Sequence, residues 1–420
     1  MRVVIVGAGV GGLTTALMLQ RRGIRAEIYE QSSTVRDSLG VGINTLPPSI
    51  GELAELGLLP ELDKIGIRTR ELNYYNRLGQ LVWSEVRGLD AGHRSPQFSI
   101  HRGRLQKVLY DAVRDRLGPD AVRTGWNLAG FMQGEGGVTA HFADSVKGGA
   151  GLTVRGDVLI CADGIHSVAR RQFYPGEGPP KWNGVLMWRG ATEWPTWKDG
   201  RTMAIGGGMG AKFVLYPIAE SHNSEAAGRQ LMNWVVCIKM ADGEVTPPPR
   251  ESWSRRASLS TVLPYARRFS IPGCDIHQLV ESTPESFEYP MCDRDPLPRW
   301  TFGRVTLLGD AAHPMYPVGS NGASQAILDA RVLADALVSA EHPAQALWAY
   351  ERDRLPKTAE VVRLNRKGGP ERVIDEVEKL APGGFAHIDA VLSREERKAI
   401  VRGYASTAGF AAEPGQGARA

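Results

Sequence analysis

The chain opens on a short, nearly continuous apolar run, Arg2 to Val6 in "RVVIV". A run of that length without polar alternation suits a parallel strand covered on both faces. Three glycines follow, Gly7, Gly9 and Gly12. Leu13, Ala16, Leu17 and Gln20 then recur at helical spacing, and Gly23 ends the helix. A second strand runs from Ala26 to Tyr29 and stops at Glu30.

After Glu30 the strand–helix alternation of a six-stranded dehydrogenase sheet does not continue. A loop and a helix come first, then the strand-like pieces "ELNYY" and "QLVWSE" and the helical "RGRLQKVLYDAVRDRL". "GDVLICADGIHSVARR" predicts a strand, a tight turn at Asp163-Gly164 and a helix start. From about 183 to 291 the pattern changes to short alternating strands rich in Trp, Tyr and Phe, which predicts an inserted antiparallel sheet. "RVTLLGDAAHPMYPVGSNGASQAILDA" then returns to strand, punctuated loop and helix. That helix runs through Leu337, with Ala323, Ile327, Ala330, Ala334 and Leu337 on one face. From 344 to 367 the chain reads as a helix packing across the first domain, and "GGPERVIDEVEKLAPGGF" and "LSREERKAIVRGYAS" add short helices. Residues 246–253 read as a loop, and the last residues, "EPGQGARA", as a disordered tail.

The fold class is therefore α/β, a Rossmann-like GxGxxG domain with an inserted antiparallel-sheet domain and C-terminal helices. The expected boundaries are 1–70, 98–182 and 292–345 for the nucleotide domain, 71–97 and 183–291 for the sheet domain, and 346–420 for the helices and tail.

The first motif carries a definite chemistry. Gly7 permits a tight turn, Gly9 lets the backbone approach a pyrophosphate, and Gly12 lets helix and strand pack closely. The helix start offers free N–H groups to phosphate. Glu30 can accept from both ribose hydroxyls and disfavours a 2′-phosphate, which leaves FAD or NAD. The bland alternative, a structural glycine turn, does not account for the second strand and its terminal acid.

Composition adds limits. Hydrophobic residues are 42% and charged residues 23%, and Lys+Arg 50 against Asp+Glu 46 gives +4. A charge so small and evenly spread argues for neither nucleic acid nor an anionic membrane. No apolar run approaches the roughly twenty residues of a membrane span. The four cysteines, Cys161, Cys237, Cys274 and Cys292, form no CxxC and have no histidine at ligand spacing, so no metal is expected. The reading is cytoplasmic.

Three separated motifs, GxGxxG at 7–12, "ADGIHS" at 162–167 and "LLGDAAHPMYP" at 308–317, resemble the group A flavin monooxygenases of the para-hydroxybenzoate hydroxylase type. The resemblance covers most of residues 1–365. "LGVGIN" (39–44), "IHRGRLQ" (100–106), "MWRGATE" (187–193), "YPMCDRDPLPRW" (289–300) and "NGASQAILD" (321–329) are similar to the branch that hydroxylates 5-methylphenazine-1-carboxylate.

The resemblance implies non-covalent FAD, with Glu30 on the adenosine ribose, Arg102 near the phosphates and Asp310 on the ribityl hydroxyls. It places Val41 and Gly42 along the flavin edge, and Asp163 and Gly164 as a brace of the cleft. Pro317 would wall the reactive face, and the N–H groups of Asn321 and Gly322 would face the flavin's pyrimidine edge, where a helix start stabilises negative charge. With one GxGxxG, NADH or NADPH must bind transiently in the same cleft. The reduced flavin and O2 would give a C4a-hydroperoxide that hydroxylates an electron-rich aromatic, with or without loss of CO2. One departure stands out: the family's Pro-x-x-Gly-x-Gly reads "PVGSNG" here, with Gly319 one place early and Ser320 at the usual glycine.

For the substrate the candidates are Met187, Trp188, Arg189, Tyr216, Trp234, Met315 and Tyr316, although an aromatic on a sheet more often belongs to a core. Arg189 could pair a substrate carboxylate or face solvent. His101, His166 and His313, inside the motifs, read as structural hydrogen-bonding groups. The partners expected are a small aromatic substrate and O2, for a monomer or homodimer. A salicylate-type hydroxylase and a flavin reductase that inserts no oxygen stay open beside the phenazine-type reading.

Overall fold

Val3 to Val6 need apolar cover on both faces, and they find it inside a six-stranded sheet. The computed structural model describes residues 1–35, 41–146, 148, 151–221, 228–241 and 255–411. The loop expected at 246–253, the tail at 413–420 and the first two positions of the 39–44 motif lie outside these residues. Strand order in the sheet is Thr301–Phe302, Val305–Leu307, Val158–Cys161, Arg2–Val6, Arg25–Glu30 and Val122–Thr124. Every neighbouring pair is parallel except the first.

The two faces of the central strand meet different layers. A methyl added at Gly12, on helix Val10–Arg21, would come 3.4 Å from Ile5. One added at Gly156 would come 2.9 Å from Val4. Alternation along the strand thus sends Ile5 to the helices and Val4 to a second layer. That layer is an antiparallel sheet of Trp126–Gly134, Gly137–Asp144 and Leu152–Gly156. Tyr29 stacks on Phe142 at 4.4 Å between the two. Helix Val10–Arg21 packs in turn against Arg102–Leu117 and Gly322–Ser339.

The register brings the three motifs together. Val6 pairs with Cys161, and Cys161 pairs with Leu307. The glycine turn after Val6, the Asp163-Gly164 turn and the Gly309-Asp310 turn therefore stand abreast at the carboxyl edge of one parallel sheet. That edge is where open α/β sheets bind ligands.

The aromatic segment forms an eight-stranded sheet, ordered Arg256–Ala257, Ser286–Asp293, Lys181–Pro195, Arg229–Lys239, Ala211–Glu220, Thr202–Gly206, Glu71–Tyr75 and Leu81–Val86. Its outer face buries Trp188, Phe213 and Trp234 against Val262 and Leu279 of helices Leu259–Ala266 and Ile276–Glu281. Helix Pro343–Arg366 packs on the nucleotide domain against Gly322–Ser339. The two helices after it, Arg372–Leu380 and Arg394–Thr407, pack on the aromatic sheet, through Val373, Ile374, Val377 and Val401 against Tyr74, Val82 and Ile205. Among the described residues no helix is long and apolar enough to cross a membrane.

One buried arginine ties two motifs together. Arg170, on helix Val168–Phe173, is 1% exposed. It donates to the carbonyls of Ala311 at 3.2 Å, Ala312 at 2.9 Å and Asp295 at 2.9 Å, and to the Glu177 carboxylate at 2.8 Å. Arg170→Ala is expected to cost about 3 kcal/mol in urea unfolding, the lower end for a broken buried pair, because Glu177 keeps Arg294. A loss under about 1 kcal/mol, the level of an exposed pair, would show that the link is dispensable.

Candidate active site

The motif turns open into one cavity of about 370 Å³ that runs from the first glycines to the inner face of the aromatic sheet. At its near end the backbone geometry demands glycine. Gly7 has φ +99°, and a methyl on it would lie 2.4 Å from the carbonyl of Ala162. A methyl on Gly12 would lie 2.0 Å from the carbonyl of Gly7. Gly9 faces open space. The Glu30 carboxylate closes the cradle by accepting from the N–H of Ala8 at 2.7 Å and of Ser32 at 2.8 Å.

The second turn contributes backbone. Gly164 lines the cavity, while Asp163 accepts from the N–H of Val168, the first residue of the helix that Ser167 caps, at 2.7 Å. Its other oxygen, Oδ1, is buried without a hydrogen-bond partner among the described residues. Burial raises the Asp163 pKa against the pull of its Ser167 and backbone hydrogen bonds.

The third turn contributes side chains. Asp310 is exposed into the cavity, beside Met315 and Pro317. Arg102 faces the same space. Burial and the charge of Arg189 lower its pKa, and Asp310 opposes them. After Pro317 the backbone turns through Gly319 at φ +64° and Ser320 at φ +59°, and helix Gly322–Ser339 starts with no side-chain cap. A methyl at Gly322 would meet nothing within 4 Å. The helix start is therefore open to a ligand, as an anion-binding helix terminus must be. Asn321 is fully buried.

The aromatic sheet supplies the floor. Met187, Arg189, Lys212, Val214, Tyr216, Val235, Cys237 and Tyr289 line the cavity. Register explains the grid: Met187 faces Cys237 and Tyr289, Cys237 faces Lys212, and Val235 lies between Arg189 and Val214. Burial pushes the Cys237 thiol up to about 11, so it is neutral at pH 7. Burial also raises the phenols of Tyr74, Tyr216 and Tyr289, which keep their protons. The Gly42 carbonyl accepts from the Tyr216 hydroxyl at 2.8 Å and from Arg189. A methyl at Gly42 would meet Ile218 at 2.6 Å, so no side chain fits there.

Three substrate candidates lie elsewhere. Trp188 points to the opposite face of the sheet from Met187 and Arg189, because side chains alternate along a strand. It stacks on Tyr265 at 5.2 Å and donates to Glu288 at 2.9 Å. Trp234 is fully buried on that outer face and donates to Thr283 at 2.8 Å. Tyr316 turns away into a core with Val41 and Val185, where its hydroxyl meets Asp293. Val41 is likewise in that core, and its carbonyl accepts from the N–H of Arg102 at 3.1 Å. His313 donates to the Asp329 carboxylate at 2.5 Å as a structural group.

The far end of the cavity was not anticipated. It is formed by Tyr74, Arg87, Gln97, Lys212, Glu371 and Phe410. Lys212 and Glu371 form a buried ion pair, each side chain 4% exposed. Burial pulls the Lys212 pKa down, but Glu371 outweighs it and holds the ammonium above its ordinary value. Arg87 pairs with Glu85 and donates to the Tyr74 hydroxyl at 3.2 Å, and its Nε has no partner among the described residues. One signal was available: Lys212 and Val214 precede Tyr216 at the strand period, so choosing Tyr216 implied a lysine on the same face. Arg87, Glu371 and Phe410 carry no such local signal. Among the described residues no cluster of His, Cys, Asp and Glu could hold a metal ion.

The titratable group that holds the third turn is Asp329. Burial works to raise its pKa, but His313 and Arg354 outweigh it and hold the carboxyl below its ordinary value. A depressed folded pKa stabilises fully above the unfolded value, about 3.9, and is lost as pH falls through the folded one. Asp329→Asn is therefore expected to lower the thermal midpoint at pH 7, with the gap to wild type narrowing below about pH 4. Melting curves from pH 3 to 8 measure it, and a gap independent of pH would contradict the assignment.

The cradle thus fits an adenine dinucleotide: glycines where a methyl would collide, open space at Gly9, a terminal acid, and an open helix start beside an exposed acid. The FAD binding domain family matches residues 1–191 and 281–365. The chain is 43% identical, over 87% of its length and 89% of the relative's, to phenazine 1,6-dicarboxylic acid hydroxylase PhzS of Lysobacter antibioticus. It is 32% identical, over 88% of each, to 3-amino-4-hydroxybenzoate 2-monooxygenase PtmB3 of Streptomyces platensis. Among solved structures, Klebsiella pneumoniae HpxO complexed with FAD and uric acid superposes with a TM-score of 0.74 at 23% identity, covering 98% of this chain and 97% of that one, which shows a shared fold. The chain belongs to the FAD binding domain family and is an FAD-dependent aromatic monooxygenase.

Proposed function

We propose that the enzyme hydroxylates a fused heteroaromatic carboxylate of the phenazine-carboxylate kind, with O2 as oxidant and NADH or NADPH as transient reductant. The observation that carries this reading is the continuous cavity, which begins at the glycine cradle and ends at Arg87 and the Lys212–Glu371 pair. A flat ring system would lie over Met187, Val214 and Val235, and Arg189 and Arg87, each with an unpartnered Nε among the described residues, would donate to its carboxylates. The 43% identical relative is named for a phenazine dicarboxylic acid, in keeping with two cationic side chains.

In this reading Gly7, Gly9 and Gly12 admit the pyrophosphate, Glu30 accepts from the adenosine ribose, and Arg102 faces the phosphates. Asp310 accepts from the ribityl hydroxyls, and Val41 and Gly42 shape the edge beside them. Asp163 holds the turn that presents Gly164. Pro317 walls the space above the ring, and the N–H groups at Asn321 and Gly322 stabilise negative charge on the cofactor. Bound FAD supplies hydride acceptance and oxygen activation. The protein's part is to seat the aromatic ring, hold its carboxylates and exclude water, for which the apolar floor is suited. Met187, Arg189, Tyr216 and Met315 are the substrate contacts carried over from the sequence reading.

The same reading groups 1–70, 98–182 and 292–345 as the FAD domain, 71–97 and 183–291 as the substrate domain, and 346–420 as a C-terminal unit. The pairing of Glu71–Tyr75 with Thr202–Gly206 in one sheet supports it. Cys161, Cys237, Cys274 and Cys292 are joined in no disulfide, which suits the cytoplasm. The protein acts as a monomer or homodimer in this reading.

NADH and NADPH oxidation should be measured with phenazine mono- and dicarboxylates, salicylate and 3-amino-4-hydroxybenzoate. A phenazine carboxylate is expected to accelerate it most, with one 18O from 18O2 in the product. Stimulation by single-ring acids alone would replace the reading, and reductant oxidation without label would overturn oxygen insertion. Arg87→Met is expected to raise KM for a dicarboxylate about tenfold, the worth of one charge-assisted hydrogen bond, with a smaller change in kcat.

A further inference from the structure

The family match ends at residue 365, yet the chain beyond it returns to the cofactor loop. Helix Arg394–Thr407 places Tyr404, 4% exposed, against the turn that leads into helix Gly322–Ser339. The Tyr404 hydroxyl accepts from Asn321 Nδ2 at 2.7 Å and donates to Asn365 Oδ1 at 2.6 Å, with the carbonyl of Val318 at 3.2 Å. Gln325, one helical turn on, donates to Asn321 Oδ1 at 3.2 Å and to the carbonyl of Ala408 at 3.1 Å. Asn321 is thus held from two sides, by its own helix and by the C-terminal one.

The Tyr404 ring also explains the displaced glycine. A methyl on Gly319 would come 2.5 Å from that ring, so only glycine fits there. Gly319 and Ser320 both adopt left-handed backbone, at φ +64° and φ +59°. Glycine takes that conformation freely, whereas serine does so at a cost that its surroundings must offset.

We propose that Tyr404 is a positioning residue for FAD: its ring selects glycine at 319, and its hydroxyl fixes Asn321, so that the helix start facing the cofactor is set by the C-terminal helix. The proposal rests on FAD binding and not on the identity of the substrate.

Tyr404→Phe keeps the ring and removes the hydroxyl. In the purified holoenzyme it is expected to raise the FAD dissociation constant about fivefold, the worth of one buried hydrogen bond, and to shift the flavin's visible absorption bands. Less product per reduced nicotinamide consumed should accompany the change. Adding Ser320→Gly removes the conformational cost at the turn and is expected to restore at least half of the lost affinity. A merely structural role would lower the melting temperature and leave the absorption bands where they are. Wild-type affinity and spectrum in Tyr404→Phe, or no recovery in the double variant, would overturn the proposal. Should Tyr404→Phe fail to accumulate as folded protein, Gly319→Ala provides the test: weaker FAD binding and a shifted spectrum are expected, and unaltered ones would overturn it equally.

Discussion

The Asp329 carboxylate is fully buried, and three groups converge on it. His313 lies at 2.5 Å, the Gly309 N–H donates at 3.2 Å and Arg354 donates at 2.8 Å. A buried charge that loses such partners is costly, so the surrounding chain has little freedom to rearrange. Asp329 sits on the helix that follows the loop, and two of its partners sit at the loop's beginning. The loop from Gly309 to Gly322 is therefore clamped to its own helix. Arg354 extends the clamp by donating to Gln325 at 2.5 Å, and Gln325 reaches Asn321. From there Tyr404 and Asn365 carry it to the carbonyl of Tyr316 at 2.9 Å.

This network decides what the cavity presents. Side chains turned inward are committed to the clamp, and those left over, Asp310, Pro314, Met315, Pro317 and Ser320, face the cavity. Tyr316 lies between two of them, yet it is spent on Asp293 and the core. The aromatic sheet forms the facing wall, and the C-terminal unit closes the end with Glu371 and Phe410. Three parts of the chain thus meet at one space, and the C-terminal helices share one core with the aromatic sheet.

Much of the nucleotide half was legible because its signals are local. A strand, a glycine turn and a helix are read within thirty residues, and Gly7 and Gly12 stand where a methyl would strike backbone. The antiparallel layer of Trp126–Gly134, Gly137–Asp144 and Leu152–Gly156 is not legible in the same way, since strands such as "WNLAGFMQG" mix exposed apolar residues like Met132 with glycine and blur the alternation. On the aromatic sheet the strands were legible but their faces were not. Met187, Trp188 and Arg189 are consecutive, and alternation alone cannot tell which side holds the cavity when both sides are covered.

By itself the sequence determined the chemistry of the cradle: where glycine is compulsory, where an acid ends a strand, and where a helix begins without a cap. Each follows from steric or hydrogen-bonding rules that act over a few residues. Only the tertiary structure decided that Trp188 and Trp234 serve a core, that Lys212 meets Glu371 across 159 residues, and that Tyr404 occupies the space beside Gly319. Those contacts depend on sheet register and on where a distant helix docks, and both are settled by packing the whole core at once rather than by any local preference.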